Sequence, residues 1–321
     1  MTNTATAPEK AKTRSTIKQR PGDRIFSGSA TFAGWIILIT LAAVGFFLTV
    51  QGIPGILADP ERSSLLAGRG FWEYTWPLVF GTIWASALAL AMAVPLSIGI
   101  ALFISHYAPR RLAQPLGYII DLLAAVPSVV YGLWGIAVLA PAVQPVYSWM
   151  VDNLGWIPLF AGPVSVTGRT IFTAAIVLGV MVLPIITAIC REVFLQTPVL
   201  HEEAALALGA TRWEMIRTAV LPFARPGIIS GAMLGLGRAL GETMAVAMVL
   251  SATGVVTIQL LTSTNPSTIP ANIALKFGEG GYGININVLI ATGLVLFIIS
   301  FAVNALARWV VNRRKDFSGA N

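Results

Sequence analysis

The chain has 321 residues, of which 56% are hydrophobic and 11% charged, with a formal net charge of +7. Ordinary globular domains carry roughly 25% charged residues, so this composition excludes a soluble enzyme and marks an integral membrane protein. The positive balance does not point to nucleic acid, because the basic residues sit in the tails and in short segments between apolar runs, where topology signals lie. The single cysteine, Cys190, can close no internal disulfide and brings no second thiol for a metal cluster.

Residues 1–30 read as a disordered tail bearing Lys10, Lys12, Arg14, Lys18, Arg20 and Arg24. Residues 31–70 read as a first membrane anchor, uncleaved, and the start of an external loop. Residues 71–312 form the main transmembrane domain, and 313–321 a second tail. A span needs about twenty apolar residues. Six segments qualify: Phe32–Val50, Val79–Ser105, Leu116–Ala140, Ile171–Cys190, Pro222–Leu250 and Val288–Val311. The expected fold is therefore all-α, with six transmembrane helices.

Loop charges orient these spans. With the amino terminus inside, the inner segments hold the basic tail, Arg110, Arg111, Arg191, Arg212, Arg217, Arg313, Arg314 and Lys315. The outer ones hold Arg62, Arg69, Arg169 and Lys276. By the positive-inside rule both termini are cytoplasmic. Trp72, Trp76, Trp149 and Trp156 are placed as outer aromatic anchors, and Pro95, Pro127 and Pro184 as kinks.

The inner segment between the fourth and fifth spans reads "TPVLHEEAALALGATRWEMIRTAVLP". Pro198 opens a helical run through Leu208, Gly209 stops it, and a second run starts at Thr211, with Pro222 opening the next span. This predicts a short helix, a turn and a second short helix outside the bilayer.

Glu203, Ala204 and Ala205, with Gly209 four residues after Ala205 and Leu221-Pro222 beyond, match the EAA loop of type-1 ABC importer permeases, and the chain resembles that family. Ala219 stands where the family pattern has Ile. The stretches "GLGRALGET", Gly235 to Thr243, followed by Met244, Ala245 and Val246, "AAVPSVVYGLWG", Ala124 to Gly135, and "LTSTNPSTIPANIA", Leu261 to Ala274, resemble the PstC-type phosphate permeases within it. The resemblance covers most of the chain from about Phe71. It implies a type-1 importer permease fold over 71–312 with a cytoplasmic coupling helix between helices 4 and 5, in which Glu203, Ala204, Ala205 and Gly209 meet the ATPase. It also implies the partners: a second phosphate permease subunit as heterodimer, two ATPase subunits, an extracytoplasmic phosphate-binding protein, and phosphate as cargo. No cofactor and no metal are implied.

Arg238 and Glu242 are the only charged residues between Arg225 and Lys276, and they fall inside the fifth span. Charge there costs roughly 2.5–3.5 kcal/mol on insertion scales and points to a pathway or a partner. At about 100° per residue, Gly227, Gly231, Leu234, Gly235, Arg238, Gly241 and Glu242 share one stripe, a face suited to close helix packing. Four-residue spacing lets Arg238 and Glu242 pair. Two roles follow: a structural ion pair, or a substrate pathway in which Arg238 offers phosphate its bidentate donors while Glu242 balances it.

Asp121 reads as a helix-contact residue, His106 and His201 as loop residues, and Ser128 and Thr243 as ordinary helix contacts. No lysine follows a glycine, so no Walker loop is present and ATP hydrolysis is left to a separate subunit. No nucleophile–base triad or paired-carboxylate site is legible. A stand-alone channel or secondary transporter would need no docking loop, and a membrane enzyme would need a reactive constellation. Within the importer class the alternative cargo is another oxyanion, sulfate or molybdate.

Overall fold

Residues 21–278 and 283–315 are described by the structure, a computed structural model. Its helices are α1 (Pro21–Ile56), α2 (Phe71–Leu102), α3 (Arg110–Ala124), α4 (Ser128–Trp134), α5 (Ala140–Leu154), α6 (Ile171–Leu195), α7 (Val199–Ala207), α8 (Arg212–Met215), α9 (Leu221–Gly241), α10 (Met244–Val249), α11 (Ile269–Phe277) and α12 (Ile284–Lys315). Three π-helical turns extend or join them, at Phe103–Tyr107, Gly135–Leu139 and Ile216–Val220. Among the described residues six stretches are long and apolar enough to cross a bilayer: Ile25–Ile56, Phe71–Tyr107, Ser128–Leu154, Ile171–Leu195, Arg212–Gly241 and Ile284–Trp309.

Two units are distinguished, divided after Phe47. In the first, α1 exposes Trp35, Ile37 and Phe46, as a lipid-facing helix does. Helix is present from Pro21, inside the segment read as a disordered tail. The helix of the first apolar run continues back through these polar residues, since adding a turn to an existing helix costs far less than starting one. Residues 1–20 lie outside the described residues, as do 316–321 of the other tail; 313–315 continue α12.

The second unit is built around α6. Ala174, Val177, Leu178, Met181, Val182 and Ile186 of α6 are buried in one apolar cluster with Ala85, Ala89 and Ala93 of α2. Small residues permit this approach. A Cβ on Gly179 would stand 3.4 Å from the Ala89 carbonyl. On another side α9 lies against α6 through Gly227, Gly231 and Gly235. A Cβ on Gly231 would meet Ile189 at 3.2 Å, one on Gly235 would meet Ile186 at 2.7 Å, and one on Gly227 would collide with Val193. The glycine face of α9 is thus occupied within the chain, by the ridge Val182, Ile186, Ile189 and Val193. Arg238 and Gly241, at the edge of the same stripe, are exposed.

The expected third span, Leu116–Ala140, is displaced. Its first part is α3, a separate helix whose Gly117 and Ile120 are buried while Leu112, Tyr118, Ile119 and Leu122 are exposed. Its leucines and isoleucines satisfy a hydropathy count, but Pro127 disfavours helix at Val126 and lacks an N–H. The helix ends at Ala124 and restarts at Ser128, so the span is Ser128–Leu154. Across the gap Tyr131 Oη donates to the Leu123 carbonyl at 2.9 Å. The fifth span is also shifted: it begins at Arg212, since α8 runs through a π turn into α9, and stops at Gly241. Leu250, its expected end, lies beyond a break at Glu242 and Thr243.

Between α6 and α8 the spacing of Ala205 and Gly209 has a direct geometric meaning. Gly209 has φ +86°. Its N–H reaches the Leu206 carbonyl at 3.0 Å, and the Ala210 N–H reaches the Ala205 carbonyl at 3.2 Å. These are the two bonds of a Schellman cap, with Ala205 at the third residue from the helix end and Gly209 in the left-handed position. On the far side of the turn Thr211 and Glu214 form a capping box.

Two stability predictions follow. Gly227→Ala should destabilise the detergent-purified chain by about 1–3 kcal/mol, because short, β-branched Val193 cannot yield. Gly237→Ala, where nothing lies within 4 Å, should be neutral or stabilising by up to about 1 kcal/mol. Thermal unfolding of the two variants decides; equal effects would refute the packing assignment. At Gly209 a Cβ meets open space, so Gly209→Val should cost only the left-handed backbone term, about 1–2 kcal/mol, with Gly209→Asn milder. Amide exchange over residues 199–210 should quicken roughly tenfold in the valine variant and less in the asparagine one.

Candidate functional site

Two assemblies carry the sequence-derived site residues. The first surrounds α7. Pro198 precedes it, and none of its residues is fully buried. Glu203 and Ala204 are exposed, Ala205 is half-buried against the main apolar cluster, and Gly209 is exposed in its turn. Val199, Leu200 and Leu208 are 64%, 73% and 90% exposed, and Trp213 stands out nearby. α7 thus turns apolar side chains and a carboxylate outward, beside a turn held by local hydrogen bonds on both sides.

Behind α7 the contacts are polar. Glu202 Oε1 lies 3.5 Å from His106 Nε2, and His106 Nδ1 lies 2.7 Å from Ser105 Oγ. His106 belongs to the π turn that ends the second span and packs edge-on to Phe194 of α6; it is not a loop residue, as the sequence had suggested. Beside the pair is a cavity of about 260 Å³ bordered by Leu206, Arg212 and Ile216. Asp121 contacts Arg191 of α6 at 3.8 Å, with the guanidinium lying over Gly117. His201 is exposed.

The second assembly is the broken end of the fifth span. Glu242 has φ −69° and ψ 125°, which ends α9. Its side chain is buried, and Oε1 accepts the Ala245 N–H at 3.1 Å, capping the start of α10. Arg238 and Glu242 form no ion pair. The four-residue spacing allowed one, but the helix carrying both ends between them and the carboxylate turns to the backbone instead. Arg238 is exposed and within electrostatic reach of the Tyr131 phenol.

The break gathers the other two sequence stretches that stood out. A Cβ on Gly132 would stand 3.0 Å from Ala245 Cα, so α4 rests backbone-close on α10. Asn265 donates through Nδ2 to the Ser251 and Arg169 carbonyls at 3.2 and 3.3 Å, and its Oδ1 accepts the Ile171 N–H at 3.0 Å. Arg169 donates to the Met248 and Val249 carbonyls. Sequence reasoning missed His106, Glu202, Asn265 and Arg169 because their partners are distant in the chain. Among the described residues no group of His, Cys, Asp and Glu is placed to hold a metal.

This geometry can be set beside known proteins. A phosphate transport system permease protein PstC 2 of Mycobacterium bovis is 46% identical over 300 residues, covering 90% of this chain and 91% of the relative. The PstC permease of Haemophilus influenzae is 35% identical over 327 residues, covering 96% and 99%. A crystal structure of a bacterial ABC transporter involved in the import of the acidic polysaccharide alginate shares the fold, with TM-score 0.57 at 17% identity, covering 92% and 99%. Residues 93–316 match the family described as "Binding-protein-dependent transport system inner membrane component". With that match, the six apolar helices and the permease relatives together, the chain belongs to this family of ABC importer permeases, as a multi-pass membrane protein.

Proposed function

We propose that the chain is the permease subunit of an ATP-driven phosphate importer and forms half of its translocation pathway. The observation that carries this reading is the broken fifth span, where an exposed guanidinium stands among the segments shared with phosphate permeases. Irregular backbone at membrane depth is tolerated where it lines a cavity or is buried in protein, and a guanidinium there supplies a planar fork for an oxyanion. Glu242 is spent on capping α10 and, among the described residues, no carboxylate forms an ion pair with Arg238, so phosphate meets an uncompensated charge. A single such group binds weakly enough for the ion to leave.

The energy comes from outside the chain. α7, with Glu203, Ala204, Ala205 and Gly209, is the coupling helix and docks on one of two ATPase subunits. A second phosphate permease closes the pathway from the other side, and an extracytoplasmic binding protein delivers phosphate. The glycine face of α9 does not make the heterodimer contact, since α6 fills it. The basic bias of the loops supports placing α7 and both termini in the cytoplasm, with the protein in the bacterial inner membrane.

The deciding experiment is uptake of radiolabelled phosphate and sulfate by vesicles holding the reconstituted complex. Phosphate should enter on ATP addition and sulfate should not; the reverse result would identify another oxyanion permease. In the same vesicles Arg238→Gln should lose about 90% or more of phosphate uptake, since a neutral amide lacks the charge-assisted fork. Native uptake by that variant would remove Arg238 from the pathway. Glu203→Lys should release the ATPase on purification and abolish uptake, and a complex that stays intact and active would refute the docking assignment.

A further inference from the structure

α7 has no fully buried residue, yet movement imposed on it must reach helices that are packed tightly. Its two covalent connections lead to α6 and α8. Its apolar side packs against the π turn Ile216–Val220 and, through Ala205, the main cluster, while a polar side-chain contact leads elsewhere: Glu202 to His106, at the end of the second span. The two side chains are 23% and 10% exposed, which distinguishes this pair from a solvated surface ion pair of little consequence. His106 is fixed on its other faces by Phe194, which is fully buried, and by Ser105.

The ring is oriented from its other nitrogen: Nδ1 lies 2.7 Å from Ser105 Oγ, which itself donates to the Ala101 carbonyl at 2.8 Å, so Nε2 is aimed at Glu202 Oε1. The contact with Glu202 is thus made by a side chain held in place independently of it. It also falls at a helical irregularity. The π turn Phe103–Tyr107 carries His106, and the π turn Ile216–Val220 flanks the same cavity through Ile216. Single π turns interrupt the regular hydrogen-bond ladder and are frequent at functional sites.

We propose that His106 and Glu202 are positioning residues that carry the movement of α7 to the second span, a route separate from the chain connections to α6 and α8. This rests on the reading of α7 as the ATPase-docking helix. Glu202 faces inward to His106, while Glu203, its neighbour, faces the partner, so docking and transmission fall on adjacent residues of one helix.

The test uses the whole importer complex in proteoliposomes and reads phosphate imported per ATP hydrolysed. His106→Ala and Glu202→Ala should each lower that ratio about fivefold while the ATPase still co-purifies. The double variant should be no worse than either single one, because the two side chains act as a pair. His106→Lys, which places a cation facing Glu202, should restore at least half of the ratio, whereas a loss from cavity formation alone would not respond to charge. Single variants that keep the native ratio, or losses that multiply in the double variant, would overturn the link. Failure of the functional reading looks different: the native complex itself would import no phosphate, or the Glu203→Lys complex would stay assembled and active.

Discussion

The distance at which α2 and α9 approach α6 governs the rest of the molecule. In a bilayer, lipid is as apolar as leucine, so helices associate through close packing and not through hydrophobic expulsion. Ala85, Ala89 and Ala93 on α2, Gly179 on α6, and Gly227, Gly231 and Gly235 on α9 remove the side chains that would hold these backbones apart. With the fourth span clamped between two others, its ends become fixed points. One end leads into Pro198 and α7, and the other is tied through the Ile171 N–H to Asn265. Both candidate assemblies are thus attached to a single rigid element.

Against that rigid element stand the irregular ones. The second, third and fifth spans each contain a π turn, and the third and fifth are flanked by breaks, at Pro127 and at Glu242. Gly132 brings the helix after one break onto the helix after the other. Packed cores resist continuous deformation and shift between discrete arrangements. A molecule with a well-packed mast and defects in its neighbours concentrates any such shift in the neighbours, where Arg238 and His106 are placed.

Much of this was legible in the sequence, and the remainder failed for definable reasons. The second and fourth spans cover the continuous apolar runs, which stay helical through Pro95 and Pro184, although the second starts already at Phe71 and not at Val79. The third was misplaced because hydropathy counts α3 as membrane-spanning, whereas the chain obeys the steric demand of Pro127. The helix–turn–helix around Gly209 was readable because a Schellman cap and a capping box are local devices with fixed spacings. Glu202 and His106 were not readable, being 96 positions apart along a chain whose pairing is set only by the packing of α2 and α6. The pairing of Arg238 with Glu242 was a reasonable inference from helical spacing that presumed an unbroken helix.

The break itself shows what the polar residues of that region are for. A break between helices leaves backbone groups without intrahelical partners. Here Thr243 Oγ1 donates to the Gly241 carbonyl at 3.2 Å, Glu242 accepts the Ala245 N–H, and Arg169 supplies donors to the Met248 and Val249 carbonyls at the other end of α10. Asn265 does the same for Ser251 and Ile171. Each of these polar side chains therefore has a structural duty in keeping the irregular backbone hydrogen-bonded. Arg238 has none of that kind: it sits beside the break, exposed, and donates to none of these carbonyls. A guanidinium not engaged in that duty keeps its planar fork of donors turned outward, which is what the proposed role in anion passage requires.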